Sequence, residues 1–95
     1  MSYYKGLSLE GKRALVFGGT SGLGKSMAIG FAQAGADVVP VSRRAEEVHK
    51  TAEEIRALGR QALEITGDVT RREDVQRVID RVLEGMGRID RKSVV

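Results

Sequence analysis

Ninety-five residues, 41% hydrophobic and 31% charged, permit one modest core and no second domain; a single domain of this length buries only about 60–65% of its unfolded surface. The composition excludes disorder and collagen-like architecture, and the absence of cysteine excludes a disulfide framework and a thiolate zinc site. A formal net charge of +3, with basic and acidic residues interleaved, gives no sign of a nucleic-acid surface. The longest apolar stretches, such as 14–17 and 38–41, fall far short of the roughly 20 residues needed to span a membrane. Residues 1–6 lack the apolar core and cleavage pattern of a signal peptide, so the expected setting is cytoplasmic.

A polar lead-in at 7–12 precedes Arg13-Ala14-Leu15-Val16-Phe17, an apolar run stopped by Gly18-Gly19, which reads as a strand buried on both faces. From Gly22 the period becomes helical: Leu23, Met27, Phe31 and Ala34 form a core stripe, and Gly35 stands where a left-handed cap belongs. Residues 36–41 form a second buried strand in which Pro40 cannot donate a ladder hydrogen bond, so the ladder is expected to break near that strand's end. Val48, Ala52, Ile55 and Leu58 mark a second helix, with Glu46 and Glu47 in its first turn and Gly59 after its end. Gln61 to Thr66 gives a third strand. Thr70 and Glu73 fit a capping box ahead of a helix whose stripe is Val75, Val78, Ile79, Val82, Leu83 and Met86. Strands alternating with amphipathic helices imply a parallel sheet with right-handed crossovers, half of a doubly wound α/β fold.

The chemistry is concentrated in Gly18-Gly19-Thr20-Ser21-Gly22-Leu23-Gly24-Lys25-Ser26, between the first strand and the first helix. In an open α/β sheet that turn lies at the carboxyl end of a strand, where helix amides and the positive end of the helix dipole meet an anion, here a phosphate. Two motifs share these letters. Gly19 to Ser26 matches the P-loop pattern G-x-x-x-x-G-K-[ST] of nucleotide triphosphatases, in which Lys25 would contact terminal phosphates and Ser26 would hold magnesium. Gly18, Gly22 and Gly24 give a G-x-x-x-G-x-G spacing instead.

That spacing resembles the cofactor turn of the short-chain dehydrogenase/reductase family. The resemblance runs from Leu9-Glu10-Gly11-Lys12 through the segment 35–39, Ser42-Arg43 and Gly67-Asp68-Val69-Thr70 to Gly87-Arg88-Ile89-Asp90, and it outweighs the P-loop reading. It implies a partial Rossmann-type sheet with strand order 3-2-1 and at most a stub of a fourth strand. Residues 1–90 would be an NAD(P)-binding half-domain and 91–95 a divergent polar tail. The resemblance places Gly18, Thr20, Ser21 and Leu23 along the pyrophosphate, Asp68 at the adenine amino group and Val69 beside the adenine ring. Phe17 departs from the family's usual Thr, and Lys25 and Ser26 fall in the exposed first turn of the helix.

Cofactor choice is read at the end of the second strand. An acidic residue about 20 positions beyond the glycines selects NAD by binding the ribose 2′-hydroxyl, whereas an arginine there accommodates the 2′-phosphate of NADP. Counting from Gly22 reaches Ser42, with Arg43 and Arg44 next and no carboxylate, so NADP(H) is the expected cofactor and NAD the lesser one. The plainer readings make Arg43 and Arg44 a solvated helix start and Asp68 a turn residue. His49, the only histidine, reads as a solvated surface residue.

Family catalysis uses a Tyr-x-x-x-Lys pair and a Ser, which these residues lack: Tyr3 is followed four positions on by Leu7 and Tyr4 by Ser8. The fourth strand should begin at Ile89-Asp90, but Arg91-Lys92-Ser93-Val94-Val95 does not continue the family's pattern. The expectation is the N-terminal, NADP(H)-binding part of a short-chain oxidoreductase, cut before its catalytic residues. Such a piece is catalytically incomplete alone and leaves the first strand at an open, apolar edge. The alternatives are a non-catalytic nucleotide-binding module acting through a partner chain, and the P-loop enzyme. Full-length family members are usually homo-oligomers; the substrate is unknown.

Overall fold

An apolar run such as Ala14-Leu15-Val16-Phe17 can show neither side of an extended strand to water, and the chain covers both. The computed structural model describes residues 8–94; Tyr3 and Tyr4 lie outside the described residues. In chain order the elements are β1 (Arg13–Phe17), α1 (Gly22–Gln33), β2 (Asp37–Ser42), α2 (Ala45–Ala57), β3 (Ile65–Thr66), α3 (Arg72–Met86) and β4 (Arg91–Val94). The sheet is parallel, in the order β3-β2-β1-β4. Ala14 and Val16 of β1 pack with Val38 of β2, Ala28 and Ala32 of α1 and Ala52 and Ile55 of α2. Leu15 and Phe17 point to the other face, where Val39, Val41, Ile65 and the α3 residues Val78, Val82 and Met86 enclose them. The strand's alternation thus divides the core between two layers of helices.

The sequence expectations for β1 and for both ends of α1 hold, and Gly35 follows α1 with φ +114°. The α1 stripe needs correction. Leu23 is 67% exposed and Met27 and Phe31 are only half-buried, while Gly24, Ala28 and Ala32, at spacing i, i+4, face the sheet. Small residues let the helix axis approach β1 closely, so the larger apolar side chains are displaced to its flanks. The α3 stripe is likewise narrower than its sequence suggests, with Leu83 exposed.

The third strand is shorter than residues 61–66, and Pro40 supplies the reason. Val38 N–H donates to the Gln61 carbonyl at 3.0 Å and Gly67 N–H donates to the Ser42 carbonyl at 2.9 Å, so alternate residues of β2 face β3. Pro40 holds the intervening position and has no N–H to give. The break therefore falls on the β3 side, and the β1 side continues in register from Arg13↔Asp37 to Phe17↔Val41. The expected capping box is also absent: the N-cap of α3 is Arg71, without a side-chain cap, so Thr70 stands one residue before the cap position, where its hydroxyl donates to Asp68.

Residues 91–94, read from the sequence as part of a divergent tail, form β4 and pair with β1 from Ala14↔Arg91 to Phe17↔Val94. Parallel pairing uses the main chain, so a polar segment satisfies it. A side-chain clamp sets the register. Asp90 Oδ2 accepts the Arg13 N–H at 2.9 Å and Arg88 Nε at 3.0 Å, while Asp90 N–H donates to the Arg13 carbonyl at 2.8 Å and Arg88 Nη2 donates to the Gly11 carbonyl. The Arg13 amide, followed by the Arg88 guanidinium, holds the Asp90 carboxyl below the usual aspartate range. β1 is therefore an interior strand of the described sheet, and Arg91 and Lys92 of β4 are exposed. Among the described residues no helix is long and apolar enough to cross a membrane.

Candidate functional site

The carboxyl ends of β1, β2 and β3 converge on one rim, and the loops leaving them carry nearly every residue singled out in the sequence. At the first of these loops the Gly18 and Gly19 amides donate to the Val41 carbonyl at 2.8 and 3.4 Å, tying the turn to β2. Gly18 has φ +77°, a backbone region that side chains disfavour. Gly24 is required for space: a Cβ there would collide with the Gly18 carbonyl group, its carbon lying at 2.6 Å. α1 starts at Ser21, whose side chain makes no cap and whose carbonyl accepts the first helical amide, from Lys25, at 3.2 Å. The amides of Gly22, Leu23 and Gly24 are consequently left without intrahelical partners at the positive end of the helix dipole. This is an anion cradle made of main chain.

Lys25 is not part of it. Its Nζ lies 2.8 Å from Glu54 Oε2 on α2, so the side chain crosses to the neighbouring helix, whereas the P-loop reading requires it at the phosphates. Ser26 is exposed.

Two clefts flank the cradle. One, of about 380 Å³, is lined by Thr20, Ser21, Ser42, Arg43, Arg44 and Glu47. Ser42 Oγ accepts the Arg44 amide at 3.4 Å, and among the described residues neither arginine takes part in an ion pair. The other cleft, of about 320 Å³, runs across the strand ends. Gly18, Ser42 and Arg43 form one side of it, and Asp68, Val69 and Thr70 the other, with Phe17 and Val41 among its apolar lining. Asp68 Oδ1 accepts both the Thr70 hydroxyl, at 2.6 Å, and the Thr70 amide, at 2.9 Å. Asp68 N–H in turn donates to Asp74 Oδ2 at 3.0 Å. The Thr70 hydroxyl, then its amide, with Arg43 and Arg71 adding positive charge nearby, hold the Asp68 carboxyl below the usual aspartate range. The second carboxylate oxygen has no hydrogen-bond partner among the described residues, so a ligand's N–H donor has an acceptor there.

The model of the short chain dehydrogenase family matches residues 12–91. The chain belongs to the short-chain dehydrogenase family. It is 42% identical over 83 residues to 2-dehydro-3-deoxy-D-gluconate 5-dehydrogenase of Escherichia coli, an alignment covering 87% of this chain and 32% of that protein. A crystal structure of a hydroxysteroid dehydrogenase from Escherichia coli superposes with a TM-score of 0.87 at 33% identity, covering 92% of this chain and 37% of the other. The NADP active-site complex of Pseudomonas aeruginosa RhlG gives 0.84 at 32% identity, covering 93% and 35%. The chain spans about a third of the length of the curated relatives it matches. Short-chain dehydrogenases are oxidoreductases that use NAD(P) dinucleotides, and the parallel α/β sheet found here is their Rossmann-like architecture.

For this short-chain dehydrogenase chain the structure brings Thr20, Ser21, Ser42, Arg43 and Arg44 to one cleft, and Gly18, Asp68 and Val69 to the other, with Ser42 and Arg43 shared. Gly22, Leu23 and Gly24 line neither cleft and supply the row of amides at the start of α1. Sequence reasoning missed Thr70, Asp74 and Glu47. An Asp followed two residues later by Thr is a recognisable side-chain turn signal and could have exposed the first of these; Asp74 and Glu47 reach the site only through the tertiary fold. His49 is exposed, as expected, with Nδ1 2.9 Å from Glu64 Oε1 and Nε2 3.9 Å from Glu53. Arg56 bonds the same carboxylates, at 2.7 Å to Glu64 and 3.3 Å to Glu53, so these side chains bond one another in a surface network.

Proposed function

We propose that this chain holds the ADP portion of NADP(H) for a short-chain oxidoreductase acting on an alcohol or carbonyl substrate. The residues fit that group in three respects: a tight turn in which Gly24 admits the Gly18 carbonyl, a row of amides without intrahelical partners, and two arginines in a neighbouring cleft without ion-pair partners among the described residues. The last observation carries the reading. A 2′-phosphate brings a charge of about −2 that two planar guanidinium groups can meet bidentately, and β2 ends in Ser42 where an NAD-selecting carboxylate would stand. Asp68 would accept the adenine amino group and Val69 would cover the ring. When bound, the cofactor supplies the hydride chemistry. The chain's own residues bind and orient its adenosine end.

These 95 residues contain no Tyr-x-x-x-Lys, so the chain by itself is proposed to bind cofactor without turning it over. A short-chain oxidoreductase in a cytoplasmic setting remains the reading for the protein's wider role. The deciding experiment titrates the chain with NADPH and NADH by isothermal titration calorimetry, which reads binding of the adenosine end, and repeats both titrations with Arg43→Gln. Wild-type chain should bind NADPH about tenfold or more tightly than NADH, the size of a charge-assisted hydrogen bond, and Arg43→Gln should remove most of that difference. Equal affinities in the wild-type chain would overturn the proposal.

A further inference from the structure

The 2′-phosphate cleft contains one group that opposes its proposed guest. Glu47 lines it together with Arg43 and Arg44, in the first turn of α2. A Glu at this third helical position commonly folds back on the cap residue's amide. Here that amide, from Arg44, is taken by Ser42 Oγ at 3.4 Å, and α2 has no side-chain cap of its own. Glu47 also lacks an ion-pair partner among the described residues. Its carboxylate is therefore committed neither to helix capping nor to a cation, and it shares a cleft with two uncommitted cations.

We propose that Glu47 is a specificity-determining residue that lowers the chain's preference for NADP(H) over NAD(H), so that cofactor choice is set by Arg43 and Arg44 acting against Glu47. The inference rests on the cofactor reading above. A phosphate seated among the arginines meets the Glu47 carboxylate as a like charge in the same small cleft. A ribose 2′-hydroxyl in its place meets a hydrogen-bond acceptor. The same side chain therefore penalises one cofactor and tolerates or assists the other. The cleft is open to water, so the penalty is screened and modest, and it should fade as ionic strength rises. Glu46, its neighbour in the first turn, makes the same contribution to the helix dipole but does not line the cleft, which makes it the control.

The test measures NADPH and NADH affinities for wild-type chain, Glu47→Gln, Glu46→Gln and Arg43→Gln, each at low and high salt, with circular dichroism to establish that each variant is folded. Glu47→Gln should raise the NADPH-to-NADH affinity ratio about fivefold at low salt and less at high salt, and Glu46→Gln should leave it within about twofold of wild type. An unchanged or reduced ratio in Glu47→Gln, while Arg43→Gln still lowers it, overturns the role of Glu47 and leaves the NADP(H) reading standing. An equal rise in Glu46→Gln also overturns it, because the effect would then be general surface charge. No NADPH preference in the wild-type chain, and no effect of Arg43→Gln, overturns the underlying cofactor reading instead.

Discussion

The two walls of the proposed nucleotide cleft are made of different material. Along the β1–α1 turn the ligand would meet main chain: amides without partners, a glycine at φ +77° and a glycine whose missing Cβ leaves room for the Gly18 carbonyl. Along the β2–α2 loop it would meet side chains, Arg43, Arg44 and Glu47, that hold no ion-pair partners among the described residues. The first wall depends on shape, which one methyl group can spoil, and in the proposed function it would read what all dinucleotides share. The second depends on net charge, which can be altered with little disturbance to the fold, and it would read what distinguishes them. Affinity and choice are thereby separable within one site.

The largest expected effect tests the rigid wall. Gly24→Ala places a methyl group against the Gly18 carbonyl, whose carbon lies 2.6 Å from the added atom, and neither partner is a side chain that could rotate away. Overpacking of this kind costs about 2 kcal/mol or more, which for a domain of this size lowers the thermal midpoint by roughly 8–16 °C. NADPH and NADH binding should fall together. If only one cofactor is lost, the turn is not the shared half of the site. Next in size is Arg43→Gln, which should cost NADPH about tenfold in affinity, leave NADH within about twofold and hardly move the midpoint, because the Arg43 side chain makes no ion pair among the described residues. A large drop in stability would mean that the second wall is structural after all.

The rigid wall was also the more legible one. The glycine pattern, the apolar run before it and the helical period after it are local signals, and β1 and α1 fall where those signals put them. The sequence identifies Arg43 and Arg44 by position but not Glu47, because nothing local says that a first-turn glutamate faces a cleft. Leu23, Met27 and Phe31 read as core since large apolar residues dominate the pattern, yet close helix-to-sheet contact is made by Gly24, Ala28 and Ala32. Thr70 and Glu73 resemble a capping box, but α3 begins one residue later, with Arg71 as its N-cap, which leaves Thr70 outside the cap position. β4 was the least legible. Arg91-Lys92-Ser93 has no strand-like pattern, and it pairs because β1 offers an open row of main-chain groups and Asp90 is clamped at its start.

Thr70 tests a point between the two walls, since it orients the Asp68 carboxylate without itself belonging to the cradle or the arginine pair. Thr70→Val removes the hydroxyl donor and keeps the amide donor at 2.9 Å. Binding of NADPH and NADH should weaken equally, by about threefold, the loss of one modest hydrogen bond. The pH dependence has a definite sign. Asp68 titrates below the ordinary aspartate range when folded, so its contribution is fully present above that range and is lost as the pH falls through its lowered value. In Thr70→Val the loss should begin at higher pH, closer to the ordinary range, which an NMR titration of the Asp68 carboxyl carbon reads directly. An unshifted titration would show that the Thr70 hydroxyl does not hold the carboxylate.

The smallest expected effect is the sharpest test of the contrast, because it concerns the one charged side chain that the sequence places next to the main-chain wall. Lys25 follows Gly24 directly, and a lysine there could supplement the amides by reaching the phosphates. Its ion pair with Glu54 at 2.8 Å argues otherwise: the ammonium is held against α2, with the two side chains 34% and 47% exposed. Exposed pairs of this kind contribute about 0–1 kcal/mol, so Lys25→Ala should lower the midpoint by a few degrees at most. Binding of NADPH and NADH should stay within about twofold of wild type, since the amides of Gly22, Leu23 and Gly24 do not depend on it. A loss of tenfold or more for both cofactors would mean that Lys25 leaves Glu54 when phosphate arrives, and that the turn is a wall of main chain only while empty. Because Glu54 is reached from α2, Glu54→Gln separates the cases: it frees Lys25 without removing it, and it should strengthen binding only if the lysine can swing to the turn.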